Sequence, residues 1–206
     1  MNIIKKIFMF LKKYFYIYKY FLLVSFLLFF CVILGILPIG ITYNLTDSMP
    51  EGYYFLYYPS FLKTGDIVSA CAPTNKYSKM GYYYGWIPLN YDKSVVTHAC
   101  YDNKFLPVIK RVYSFPGQTV YLTKDGFKNG KFFLKYHILK YTPGKNPVLI
   151  KHYPYGKYRV NGYFLFSIYS KLSYDSRYWG YVKHILYKCK YIGKKATIFN
   201  LLSAIL

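Results

Sequence analysis

The sequence predicts a mainly β domain carried outside a membrane on a single N-terminal transmembrane helix. Two observations support this. Phe21 to Ile41 runs without a charge, and at about 1.5 Å per residue such a helix crosses a bilayer core of roughly 30 Å. From Gly52 onward the apolar residues come in short runs bounded by Pro and Gly, and few segments hold a 3.6-residue period.

In chain order, residues 1–20 form a basic flank carrying Lys5, Lys6, Lys12, Lys13 and Lys19 and no acid. Lysines beside an apolar span mark its cytoplasmic side, so the N-terminus is expected inside the inner (cytoplasmic) membrane and residues 42–206 in the periplasm or another extracytoplasmic space. The many basic residues farther along do not oppose this, because long domains translocate largely regardless of charge. A cleavable signal peptide fits less well. The apolar region exceeds the usual length, and the exit LPIGITYNLT offers no small-x-small cleavage site. The span 21–41 is therefore read as a retained anchor, ended by Pro38 and Gly40.

Gly52–Tyr58 and Asp66–Ala72 read as strands, and Tyr77–Ala99 as an excursion without a clear period. Pro107–Phe115, the turn Pro116-Gly117 and Thr119–Thr123 read together as a hairpin. Asp125-Gly126 and Asn129-Gly130 supply further turns, Gly162–Tyr169 another buried strand, and Ile198–Leu206 a short helix.

With 28 Lys+Arg against 7 Asp+Glu the net charge is +21, which suggests nucleic acid or an anionic membrane surface as partner. The lysines are spread thinly among 29 Tyr and 17 Phe, as a general compositional bias would leave them, and this disfavours a nucleic-acid face. Cys31, Cys71, Cys100 and Cys189 include no C-x-x-C pair and no His at ligand spacing, so no metal or other cofactor is expected. Cys71 and Cys100 either close a loop of about 30 residues, worth roughly 3 to 4 kcal/mol, or remain free buried thiols.

Three stretches could carry chemistry. In NLTDSMPEGYY, Ser48 stands before Met49-Pro50, and a residue before proline is pushed toward extended angles. A serine there becomes a nucleophile only with a base, and no His is well placed for that. In the strand PVIKRVYSF, alternation puts Lys110 on one face with Val108 and Val112. Burial disfavours the ammonium, so a desolvated lysine can take a serine's proton, whereas a free one is neutral only about once in a few thousand molecules at pH 7. In SYDSRYWGYV, Asp175 and Arg177 lie on one side with Ser173 if the segment is extended, and can form an ion pair.

Together the stretches resemble the type I signal peptidase family of membrane-anchored Ser/Lys proteases. Its nucleophile box is matched by Ser48-Met49-Pro50, its lysine box by KRVYSFPGQTV, and its final box by SYDSRYWGYV. GDIV at Gly65 also fits. The resemblance implies a signal-peptidase-like β-rich fold and a serine endopeptidase in which Ser48 attacks and Lys110 is the base. It also implies that Ser173 orients the lysine and that Asp175 with Arg177 props the site. The Ser48 N–H and the Thr46 hydroxyl would bind the oxyanion, at about 3 to 4 kcal/mol per donor. Met49 and Pro50 would touch substrate. N-x-T-x-S-M-P-x-G, with no acid or amide just before Ser173 and Gln118 after Pro-Gly, leans toward the conjugative-transfer peptidases of the TraF type, which process a pilin precursor. The expected partner is a precursor protein in the same bilayer. The alternatives are a general signal peptidase and a non-enzymatic basic membrane protein of a transfer apparatus that binds DNA or anionic lipid.

Overall fold

A computed structural model describes residues 3–33, 38–88, 100 and 105–195. The chain opens with helix α1, Ile3–Ile33. Its Tyr14–Ile33 portion, 20 residues, is apolar and long enough to cross a membrane, and its side chains are almost all exposed. The helix therefore starts well before the expected span and does not reach its expected end, because Gly40 and Ile41 already belong to strand β1, Gly40–Asn44. Lysines are good helix formers and do not delay its start, whereas Pro38 disfavours helical angles in the residue before it.

The rest is mostly β, as expected. Strands β2 (Gly52–Tyr57), β3 (Ile67–Ala70), β4 (Val108–Val112), β9 (Leu165–Phe166) and β10 (Tyr187–Gly193) join β1 in one antiparallel sheet. Its order is β1-β2-β10-β3-β4-β9. A second antiparallel sheet, ordered β7-β6-β5-β8, holds β5 (Thr119–Leu122), β6 (Gly126–Asn129), β7 (Phe132–Lys135) and β8 (Gly156–Arg159).

The expected hairpin from Pro107 to Thr123 does not form. The reversal is present: Gln118 N donates to the Phe115 carbonyl at 3.2 Å, and Gly117 takes the left-handed φ of 85° that position i+2 of a Pro-Gly turn requires. However, β4 pairs with β3 and β9, while β5 pairs with β6 and β8, so the turn hands the chain from one sheet to the other. Phe127, Phe164, Phe166, Val120 and Tyr113 fill the space between the sheets. The buried strand expected at Gly162–Tyr169 forms only at Leu165–Phe166, with an isolated bridge from Tyr163 to Val182, although 164–167 are all buried. The helix expected at Ile198–Leu206 lies outside the described residues.

In the excursion after β3, Ser78–Tyr83 form a short helix, α2, and residues 89–99 lie outside the described residues. Gly81 is required there, because a Cβ would sit 2.2 Å from the Tyr174 ring. Cys71 and Cys100 form a disulfide, which decides between the two expected states. It ties the end of β3 to the point where the chain returns through the Cys100–Phe105 bridge, a closure worth roughly 3 to 4 kcal/mol.

Candidate active site

β1 and β2 form a hairpin whose register ends at Asn44 opposite Gly52, so residues 45–51 form a loop at the end of the sheet. The buried Asn44 side chain organises that loop. Its Nδ2 donates to the carbonyls of Thr46 (2.8 Å), Met49 (2.9 Å) and Pro50 (3.2 Å). These three acceptors fix the amide orientation, because only the nitrogen can donate to them. Oδ1 then accepts from Thr46 N (3.3 Å) and from the Thr46 hydroxyl (2.9 Å). The Tyr54 hydroxyl holds the Pro50 carbonyl from below at 2.7 Å. Gly52 closes the loop because β10 passes close by. A Cβ there would meet the Gly193 carbonyl oxygen at 2.4 Å, and φ is 141°.

Ser48, 9% exposed, is bonded on two sides. Thr46 Oγ1 lies 2.9 Å from its Oγ, and Lys110 Nζ donates to it across 2.6 Å, bridging 62 residues of sequence. Because the Thr46 proton is directed at Asn44, the Ser48 proton faces Thr46 and an Oγ lone pair faces the lysine. This is the arrangement of a charged Lys110; a neutral one accepts the serine proton instead. Among the described residues the Ser48 backbone N–H has no hydrogen-bond partner.

Lys110 lies in the middle of β4 and is 4% exposed. Val108 and Val112 are buried as the alternation predicts, but so are Ile109 and Tyr113 on the other face; only Arg111 is half-buried. The strand is interior, with Ile109 packed among Met49, Tyr54 and Cys189 and Tyr113 against the second sheet. Burial lowers the Lys110 pKa from 10.5 to about 8; Asp175 opposes the shift and Arg177 adds to it.

Asp175 and Arg177 pair as expected, at 2.7 Å from both Nε and Nη2 of the guanidinium, and both residues are buried. The backbone differs from the extended segment expected: Asp175 caps the short helix α3, Ser176–Trp179, accepting from Arg177 N at 3.1 Å. Arg177 also donates to the Ser173 carbonyl at 2.9 Å, so the pair holds the chain that presents Ser173. Ser173 lines the cleft, but its buried hydroxyl makes no hydrogen bond among the described residues, to Lys110 or to anything else. Met49, expected to touch substrate with Pro50, is 1% exposed and packs among Tyr54, Ile109 and Cys189, where it anchors the loop beside Ser48; neither it nor Pro50 lines the cleft.

Sequence reasoning assigned no role to two residues. Asn44 stood inside the nucleophile box as an unassigned letter. Ser167, buried at 6%, donates from Oγ to the Ser48 carbonyl, and its N–H donates to Asp175 Oδ2 at 3.0 Å. No local pattern marks it, because its partner lies 119 residues away.

A cleft of about 600 Å³ opens at Ser48 and Lys110. One wall is β1, an edge strand paired only with β2, and the other is Leu106–Lys110, with Trp86 and Pro88 above. A free strand edge offers backbone donors and acceptors to an extended peptide. No match is found among curated proteins. The protein family described as signal peptidase, peptidase S26, matches residues 14–198.

Proposed function

This chain belongs to the S26 signal peptidase family, whose members are serine endopeptidases that use a Ser/Lys dyad, and we propose that Ser48 and Lys110 are that dyad here. The observation that carries this is the 2.6 Å contact between Ser48 Oγ and a buried lysine titrating near 8. Neutral Lys110 takes the Ser48 proton as Oγ attacks the scissile carbonyl carbon. The oxyanion is received by the Ser48 N–H and by Thr46, whose hydroxyl must turn away from Asn44 to donate. Lys110 then returns the proton to the departing amine and leaves an acyl-enzyme. It next deprotonates the water that releases the acyl group and restores Ser48. Asp175 with Arg177 holds the segment behind the lysine.

The substrate is a precursor protein lying extended against β1. α1 anchors the enzyme in the substrate's own membrane, with the N-terminus cytoplasmic and the β domain outside. An anchored substrate then has its cleavage site brought to the height of Ser48, and proximity supplies what affinity need not. The Cys71–Cys100 disulfide supports this placement, because disulfides persist in oxidising compartments. N-x-T-x-S-M-P-x-G and the absence of an acid or amide just before Ser173 favour a dedicated conjugative pilin peptidase over a general signal peptidase. Co-expression with a pilin precursor and, separately, with an ordinary exported reporter distinguishes them, with cleavage read by mass. The dedicated reading expects efficient cutting of the pilin alone; equal cutting of both would make this a general signal peptidase.

A further inference from the structure

We propose that Ser167 is a positioning residue for the nucleophile, acting through the backbone carbonyl of Ser48; this rests on the reading of Ser48 as the nucleophile. Ser167 does not line the cleft and so does not touch substrate. Its hydroxyl is polarised in one direction: Oγ accepts from the Tyr169 N–H at 3.1 Å, which leaves its only proton for the Ser48 carbonyl. Its own N–H is held by Asp175 Oδ2 at 3.0 Å, and that carboxylate is in turn clamped by Arg177. A continuous series of bonds thus runs from the buried ion pair to the nucleophile's peptide.

The geometric consequence follows from which bond is held. The Ser48 carbonyl belongs to the peptide plane that leads to Met49, so fixing it fixes ψ of Ser48. That anchors the Ser48 Cα against the scaffold, and with it the aim of Oγ at the substrate carbonyl carbon and of the Ser48 N–H at its oxygen. Without the Ser167 hydroxyl, a buried carbonyl loses its donor and the plane is free to turn. Substrate binding along β1 and Leu106–Lys110 does not depend on that plane, so the effect falls on kcat and not on KM.

The test uses the purified full-length protein in detergent micelles with whichever precursor the wild type cleaves in the co-expression assay. It compares Ser167→Ala, Ser167→Thr and Ser167→Cys with wild type and Ser48→Ala. The expected result is a kcat about tenfold or more lower in Ser167→Ala, the worth of one net hydrogen bond or somewhat more, with KM unchanged. The pH inflection set by Lys110 should stay near 8. Ser167→Thr, which keeps the donor, should recover most of kcat, while Ser167→Cys, of similar size but a weak donor, should not. If Ser167→Ala fails to fold, the Thr and Cys pair decides. Equal rates in Thr and Cys would assign the position to packing and overturn the proposal, as would wild-type kcat in Ser167→Ala beside an inactive Ser48→Ala. Cleavage by Ser48→Ala would overturn the nucleophile reading itself and this one with it.

Discussion

As the proposed base, Lys110 would connect the catalysis of this protein to its stability, with opposite signs. An ordinary lysine titrates at 10.5 and Lys110 near 8; at 1.36 kcal/mol per tenfold this is a difference of roughly 3 kcal/mol between charged and neutral forms. At pH 7 about one Lys110 in ten is neutral, where a free lysine is neutral about once in a few thousand, so burial increases the available base several hundredfold. The same burial costs stability. Between about pH 8 and 10.5 the unfolded chain keeps a proton that the folded chain has released, so stability rises with pH across that window. At pH 7 both states are protonated, and the fold bears the full cost of a buried ammonium. Lys110→Met removes that cost and loses one hydrogen bond worth about 1 kcal/mol. The variant should therefore be inactive yet more stable by about 2 kcal/mol at pH 7, a rise in Tm of roughly 4 to 8 °C. The assay pairs thermal melts with precursor cleavage across pH, in which log kcat/KM should climb with unit slope and level off near 8. A plateau already reached by pH 6, or a destabilised Lys110→Met, would refute this reasoning.

Two further outcomes follow from the buried contacts. Asp175→Asn leaves Arg177 a buried cation without an anion, so a melt should show a loss of about 3 to 5 kcal/mol. Because Asp175 also holds the Lys110 pKa up, the inflection of kcat/KM should move lower in that variant. Asn44→Ala removes the donor to three carbonyls of the nucleophile loop, and cleavage should fall by on the order of a hundredfold as Ser48 loses its placement.

The sequence showed most clearly what is local. Ser48, Lys110 and the Asp175–Arg177 pair each sit in a short box whose residue types announce their chemistry, and Val-Lys-Val alternation placed the lysine inside. That alternation was silent on Ile109 and Tyr113, which are buried too, because a period of two cannot show that other elements cover the second face of β4. Pro116-Gly117 announced a reversal truthfully, but a turn signal does not say which strand receives the chain; the partner of β5 besides β6 is β8, more than thirty residues later. Ser173 was expected to orient the lysine; its hydroxyl is unbonded among the described residues, while its carbonyl serves Arg177. Asn44 and Ser167 act on backbone carbonyls, and such contacts leave no periodic or compositional trace.

The most direct test of the account is mass-spectrometric scoring of precursor cleavage in membranes by four full-length proteins: wild type, Ser48→Ala, Lys110→Ala and Lys124→Ala, the last an exposed lysine of a turn. The account predicts processed product from wild type and Lys124→Ala, and intact precursor with Ser48→Ala and Lys110→Ala. Processing by either dyad variant at the wild-type rate would contradict it.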